Sequence, residues 1–300
     1  MIKNCKKLFS FALHYSNYLR KKSPLLAGFK ITRKCNLTCV HCPFWKSEGE
    51  DMDFKGVCNT IDYLAKEGAK IIIFEGGEPT LWRDSEYNFT HVLNYAKKKF
   101  LSVNFTTNGL NGFGYPADTV WVSIDGLENG HDFLRGKGVF RKVINNIKEF
   151  KVFNDKPKLY ANICINKQNF KEIPALCVYL KEIVDGITIQ FYYPYDNNFQ
   201  LFLPIKERVW VLNRLKNLKK YHKIPISDSV ECLMDLKYNT WKCHPEALIN
   251  AEPNGTINNG CYVKNRGEIN CEYCGFAAHV ELSRAMDIKL SSILTGLRVF

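Results

Sequence analysis

The sequence predicts an α/β chain whose parallel strands form a barrel, or an open curved version of one, followed by a small cysteine-rich module. Two observations lead there. Six short apolar, β-rich runs recur, and four of the first five lead into stretches with helical periodicity. After Tyr221 the texture changes to a tail rich in cysteine, glycine and asparagine. Strand–helix alternation implies parallel strands joined by right-handed crossovers.

The strand runs are 29–32, 70–74, 101–106, 119–124, 159–165 and 187–192, and the helical stretches are 54–66, 87–98, 140–150 and 170–183. In a barrel of this kind the reactive groups sit in loops at the carboxyl ends of the strands. The unusual residues of this chain do follow strands: Cys35 to Cys42 the first, Glu75-Gly76-Gly77-Glu78-Pro79 the second, Asn108-Gly109 the third and Asp125-Gly126 the fourth. The expected organisation is an amphipathic basic segment over 1–27, the barrel over 28–225 and the cysteine-rich module over 226–300.

Composition sets bounds on function. Lys and Arg number 42 against 30 Asp and Glu, a net charge of +12, which fits an anionic partner. No apolar run approaches the roughly 20 residues of a membrane-spanning helix. The basic amino terminus lacks a small-residue cleavage site, so the expected location is the cytoplasm. There, 12 cysteines favour metal or cluster binding over disulfides.

Cys35-Asn-Leu-Thr-Cys39-Val-His-Cys42 has CxxxCxxC spacing, which lets one tight loop aim three thiolates at a common centre. With 12 cysteines in 300 residues, chance supplies about 0.02 such strings. Three is the informative number. A structural zinc site takes four protein ligands, whereas an iron–sulfur cluster with three leaves one iron open. Completion of a zinc site by His41 or a distant residue is the alternative.

The string Ile31-Thr-Arg-Lys-Cys35 through Cys42 resembles the cluster-binding signature of the radical S-adenosylmethionine superfamily. The resemblance implies a partial (β/α)6 TIM-like barrel, which the six strands would match. It also implies a [4Fe-4S] cluster on Cys35, Cys39 and Cys42 whose open iron is chelated by S-adenosylmethionine. Reductive cleavage would give a 5′-deoxyadenosyl radical that abstracts hydrogen from substrate, with a low-potential electron donor such as ferredoxin or flavodoxin as partner. Gly76-Gly77-Glu78-Pro79 resembles the family's GGEP motif, placing Gly76, Gly77 and Glu78 at the methionine amino group. The run through Asn108, Ser123, Asp125, His131 and Arg135-Gly136 resembles members related to sulfatase-maturing and peptide-modifying enzymes, in which the equivalent Ser and Arg bind the methionine carboxylate. Arg135 suits that role because a guanidinium grips a carboxylate with two parallel hydrogen bonds. For Asn108 and Asp125 a strand-end turn is the competing reading, and Asn162 and Asn166 are weaker candidates for the ribose.

Cys243, Cys261, Cys271 and Cys274 form C-x17-C-x9-C-x2-C, and four thiolates can enclose zinc or a second cluster. The segment from Cys243 to Cys274-Gly275 resembles the shortened "twitch" form of the SPASM extension, which implies an auxiliary [4Fe-4S] cluster. Five residues separate Gly255 from Cys261, against the usual four, and the further cysteines of a two-cluster SPASM domain are missing. Cys5, Cys58, Cys164, Cys177 and Cys232 read as small buried residues, with Cys232 as the one spare ligand.

On a helical wheel Lys3, Lys6, Lys7, Ser10, His14, Asn17 and Lys21 share one face, while Leu8, Phe11, Ala12, Tyr15 and Leu19 share the other. Such a helix packs on the barrel or lies on an anionic membrane. The resemblance implies an enzyme acting on an unidentified peptide, cofactor precursor or lipid. A non-enzymatic iron–sulfur or zinc protein serving as a redox sensor is the alternative. An RNA-binding role fits the charge, but the sequence lacks an aromatic-plus-basic recognition motif.

Overall fold

The computed structural model describes the backbone of residues 2–47, 49–153 and 156–300, and their side chains except those of 2–8 and 196. Its strands are β1 (Leu26–Thr32), β2 (Ile71–Gly76), β3 (Arg83–Asp84), β4 (Tyr87–Asn88), β5 (Ser102–Thr107), β6 (Thr119–Ser123), β7 (Lys158–Ile165), β8 (Gly186–Phe191), β9 (Leu248–Ala251) and β10 (Ile257–Asn259). The helices are α1 (Ile2–Lys21), α2 (Phe54–Glu67), α3 (Phe89–Ala96), α4 (Glu128–Arg135), α5 (Val139–Phe150), α6 (Ile173–Leu180), α7 (Ile205–His222), α8 (Val230–Asp235), α9 (Ala277–Met286) and α10 (Leu290–Val299).

Eight strands form one curved sheet in the order β10-β9-β1-β2-β5-β6-β7-β8. The six expected runs are β1, β2, β5, β6, β7 and β8, and every pairing among them is parallel. This is the partial α/β barrel the alternation implied. The tail expected to stand apart does not: β9 pairs parallel to β1, with Leu26 opposite Leu248, and β10 folds back on β9. Helix α9 packs beside β8.

Helices α9 and α10 went unread because their buried faces carry His279, Glu281, Ser283, Ser292 and Thr295, which breaks the apolar period. The expected helix 87–98 begins at Phe89, since Tyr87 and Asn88 pair with β3 and Asn88 caps the helix in a capping box. In α1 the residues packed against the protein are Phe11, His14, Tyr15 and Tyr18, an i, i+3, i+4, i+7 stripe. His14, assigned to the basic face, is therefore buried, and Leu19, assigned to the apolar one, is 58% exposed. The Tyr18 hydroxyl donates to Glu246 Oε1 at 2.6 Å and meets His244 Nδ1 at 2.8 Å, tying α1 to the tail. Lys3, Lys6, Lys7, Leu8 and the Cys5 side chain lie outside the described side chains. Among the described residues no helix is long and apolar enough to cross a membrane.

Side-chain parity explains where the site lies. Ala27, Phe29, Ile31, Ile72, Phe74, Val103 and Phe105 are buried in the main core with α2 and α3. The alternate residues Gly28, Glu75, Thr106, Ser123, Asn162, Cys164, Thr188, Gln190 and Asn250 face an internal cavity. A closed barrel fills its interior with branched apolar side chains. Here the inner face sets polar residues among apolar ones such as Ile71, Ile73 and Trp121, and leaves space.

Candidate functional site

The cavity holds about 480 Å³ and runs the length of the barrel, from the cysteine loop at the carboxyl ends of the strands to Thr295 and Phe300 of the tail. Cys35, Cys39 and Cys42 all line it. Their loop is pinned at its start by Asp51, which accepts from the Thr32 hydroxyl at 2.6 Å and the Arg33 amide at 3.0 Å. A turn from the Cys42 amide to the Cys39 carbonyl, 3.1 Å, brings the last two cysteines round. Among the described residues these sulfurs do not form a group lying wholly within 4.8 Å. Burial pushes the Cys39 thiol up to about 11, opposed by the Arg135 guanidinium, whose Nη1 lies 4.0 Å from Cys39 Sγ. That cation favours the thiolate a metal requires.

Gly76 and Gly77 also line the cavity, and the reason both are glycine is packing. A Cβ on Gly76, where φ is +148°, would stand 2.4 Å from the Thr32 carbonyl oxygen. One on Gly77 would stand 2.3 Å from that of Lys34. The Gly77 and Glu78 amides donate to these same two carbonyls at 2.8 Å each, clamping the loop to the start of the cysteine segment.

Glu78 is not among the residues that line the cavity. Fully buried, its Oε1 accepts from the Thr80 hydroxyl (2.7 Å), the Thr80 amide (3.2 Å) and the Thr107 hydroxyl (2.8 Å), and its Oε2 from the Asn108 amide (2.7 Å). Burial raises its pKa and these donors oppose the rise. It braces the ends of β2 and β5. Pro79 opens the short helical turn behind it. Asn108 does line the cavity, its amide nitrogen donating to Asn36 in the cysteine loop at 2.7 Å.

Asp125 is likewise a brace, with no exposed surface. Its Oδ2 accepts from Arg135 Nε at 2.6 Å and its Oδ1 from the Cys164 amide at 2.8 Å. Burial raises the Asp125 pKa, and the Arg135 guanidinium foremost reverses the effect, so the carboxylate is held below its usual range. Arg135 and Ser123 reach the cavity. His41 Nε2 sits 3.6 Å from Asp125 Oδ2, yet burial lowers its pKa to about 4, leaving it neutral. Asn162 faces the cavity, whereas Asn166 is buried and spent on the Cys164 carbonyl and the Gln168 amide.

The fold brings Cys243, Cys261, Cys271 and Cys274 into one electrostatic neighbourhood. Burial raises the Cys243 pKa, with Cys261 and Cys271 adding to the rise. It pushes Cys274 up to about 12, with Cys261 and Cys243 adding. Asn239, which follows α8, donates to the Cys271 carbonyl at 2.8 Å and Arg208 of α7 to the Cys274 carbonyl at 2.7 Å, so both hold this segment. Cys232 belongs elsewhere, beside Asp228 and Glu281, and is no spare ligand for the tail.

Sequence reasoning missed a charged group at the seam between β1 and the tail. Lys30 is buried with its ammonium nitrogen lacking a hydrogen-bond partner. Burial and Arg266 lower its pKa to about 7 against the pull of Glu75 and Glu252. Tyr262 donates to Glu75 Oε2 at 2.5 Å, and Arg266 donates to Glu252 at 2.6 Å. The available signal was Lys30 and Glu75 standing at inward positions of otherwise apolar strands.

A family model described as the Radical SAM superfamily matches residues 29–180. The chain is 32% identical over 199 residues to Fe-coproporphyrin III synthase of Methanosarcina barkeri, covering 60% of this chain and 46% of that protein. It is 32% identical over 174 residues to the sporulation killing factor maturation protein SkfB of Bacillus subtilis, covering 54% and 40%. The chain thus spans about half the length of the curated relatives it matches. The solved structure of Streptococcus suis SuiB bound to precursor peptide SuiA superposes with a TM-score of 0.66 at 15% identity, over 95% of this chain and 70% of that one. That likeness shows the fold.

Proposed function

Because this chain belongs to the radical S-adenosylmethionine superfamily, we propose that it is an enzyme holding a [4Fe-4S] cluster on Cys35, Cys39 and Cys42. The observation carrying this reading is the meeting of three thiols, a braced guanidinium and the Gly76-Gly77 backbone at one mouth of an internal cavity. When bound, the cluster and S-adenosylmethionine supply a 5′-deoxyadenosyl radical able to take hydrogen from an unreactive carbon. Arg135, fixed through Nε by Asp125, keeps the rest of its guanidinium for the methionine carboxylate. Ser123 and Asn108 stand beside it, and the Gly76-Gly77 backbone offers the amino group an approach no side chain obstructs.

The tail over 226–300 is proposed as a twitch-like module whose Cys243, Cys261, Cys271 and Cys274 hold an auxiliary [4Fe-4S] cluster. Four thiolates leave no open iron, which favours electron relay over substrate binding. The mixed lining, apolar over most of its surface, leaves a peptide, a cofactor precursor or a lipid as the proposed substrate classes. The relatives' names, one for a porphyrin and one for a killing factor, agree with that range. A ferredoxin or flavodoxin is the proposed reductant.

The test is anaerobic reconstitution with iron and sulfide, reduction with dithionite, and assay for 5′-deoxyadenosine and methionine. Both products are expected, and both should vanish in Cys39→Ser. A fully reconstituted protein that forms neither, with or without candidate peptides, overturns the proposal.

A further inference from the structure

At the end of the cavity remote from the cysteine loop, three ligand-bearing side chains converge from different elements. Asp228 precedes α8, Cys232 lies within α8 and Glu281 lies on α9. One ligand atom from each lies within 4.8 Å of the other two. Cys232 and Asp228 are buried, and Glu281 is only 9% exposed. Asp228 and Glu281 line the cavity.

The hydrogen bonding leaves this group incomplete. Asp228 Oδ2 accepts from the Ile189 amide at 2.9 Å, and one oxygen of Glu281 accepts from the Ser229 amide. Those bonds fix both carboxylates by backbone donors from outside the cluster, the arrangement that orients metal ligands. The other Glu281 oxygen, Oε2, is buried with no donor but the neighbouring Cys232 thiol. A buried carboxylate oxygen left to one weak thiol donor, beside a second carboxylate, is costly unless a cation completes it.

We propose that Asp228, Cys232 and Glu281 form a binding site for one divalent cation of the zinc class, with an open coordination position toward the cavity. Zinc accepts mixed thiolate and carboxylate ligands, and three protein ligands leave a fourth position free. Charge supports the assignment. Two carboxylates and a thiolate balance a divalent ion together with Lys219, whose field reaches all three. The rival arrangement is a metal-free cluster with protons on Asp228 and Cys232.

The test uses the full chain reconstituted with iron and sulfide, treated with chelator and then dialysed against zinc. Elemental analysis is expected to give one zinc per chain beyond the iron. The zinc K-edge should report one sulfur with the remainder oxygen. Cys232→Ala and Glu281→Gln should each cut zinc at least tenfold at unchanged iron. Absence of zinc from the wild type supports the protonated cluster and overturns the proposal, as does a shell of three or four sulfurs, which places zinc in a cysteine group. Should a variant fail to fold, the wild-type K-edge still decides. Iron content and 5′-deoxyadenosine formation are read on the same samples, so failure here is separate from failure of the proposed enzyme chemistry.

Discussion

Glu78→Gln separates a brace from a cofactor ligand. The glutamate is buried and accepts four hydrogen bonds, from the Thr80 amide and hydroxyl, the Thr107 hydroxyl and the Asn108 amide. Glutamine keeps one acceptor oxygen. If that oxygen takes the Oε1 contacts, the new amide points N–H at the Asn108 N–H, and a buried backbone donor is stranded at about 1–3 kcal/mol. The three remaining bonds lose their charge assistance, roughly 1 kcal/mol each. Relief from burying a charge offsets part of this. The expected net loss is about 2–4 kcal/mol, seen as a lower urea midpoint in chain free of cluster and cofactor. Glu78→Ala should lose more, because every donor is then stranded. A cluster-free Glu78→Gln chain within about 0.5 kcal/mol of wild type, weakened only in binding S-adenosylmethionine, would refute the bracing role.

Three further outcomes are expected. Gly77→Ala drives a Cβ to within 2.3 Å of the Lys34 carbonyl oxygen, so the cysteine loop must shift, and iron retained at the first site should fall several-fold by elemental analysis. Cys243→Ala should lower reconstituted iron from about eight to about four per chain while 5′-deoxyadenosine formation persists in part; an unchanged count would remove the auxiliary cluster. Lys30, held near 7 against the ordinary 10.5 of a lysine, binds fewer protons folded than unfolded between those pH values. The Lys30 contribution to stability should therefore fall by about 1.4 kcal/mol per unit as pH drops from 10.5 toward 7, and level off below. In Lys30→Met that slope should be shallower by about one proton, measured by urea titration across the range.

The barrel strands were legible because their apolar outer faces meet helices, so Phe29, Ile31, Ile72 and Phe74 stand out as β-rich runs. The cysteine loop and the glycine pair were legible because few residue types can serve there. What escaped lies where polar side chains are buried. Lys30 and Glu75 sit inside strands whose apolar residues dominated the pattern. His279, Glu281 and Ser283 hid α9, which closes beside β8. For Glu78 and Asp125, motif position does not reveal which way a carboxylate turns. Backbone donors from neighbouring strand ends turn both inward. Only the folded chain puts those donors beside them.

The most direct measurement is electron paramagnetic resonance of anaerobic, dithionite-reduced protein carrying Cys243→Ala, with and without S-adenosylmethionine. A reduced [4Fe-4S] signal whose g-values shift when the sulfonium compound is added is expected, because one iron is free to take it. A signal from the first site that ignores the addition, or zinc there in place of iron, would contradict the account.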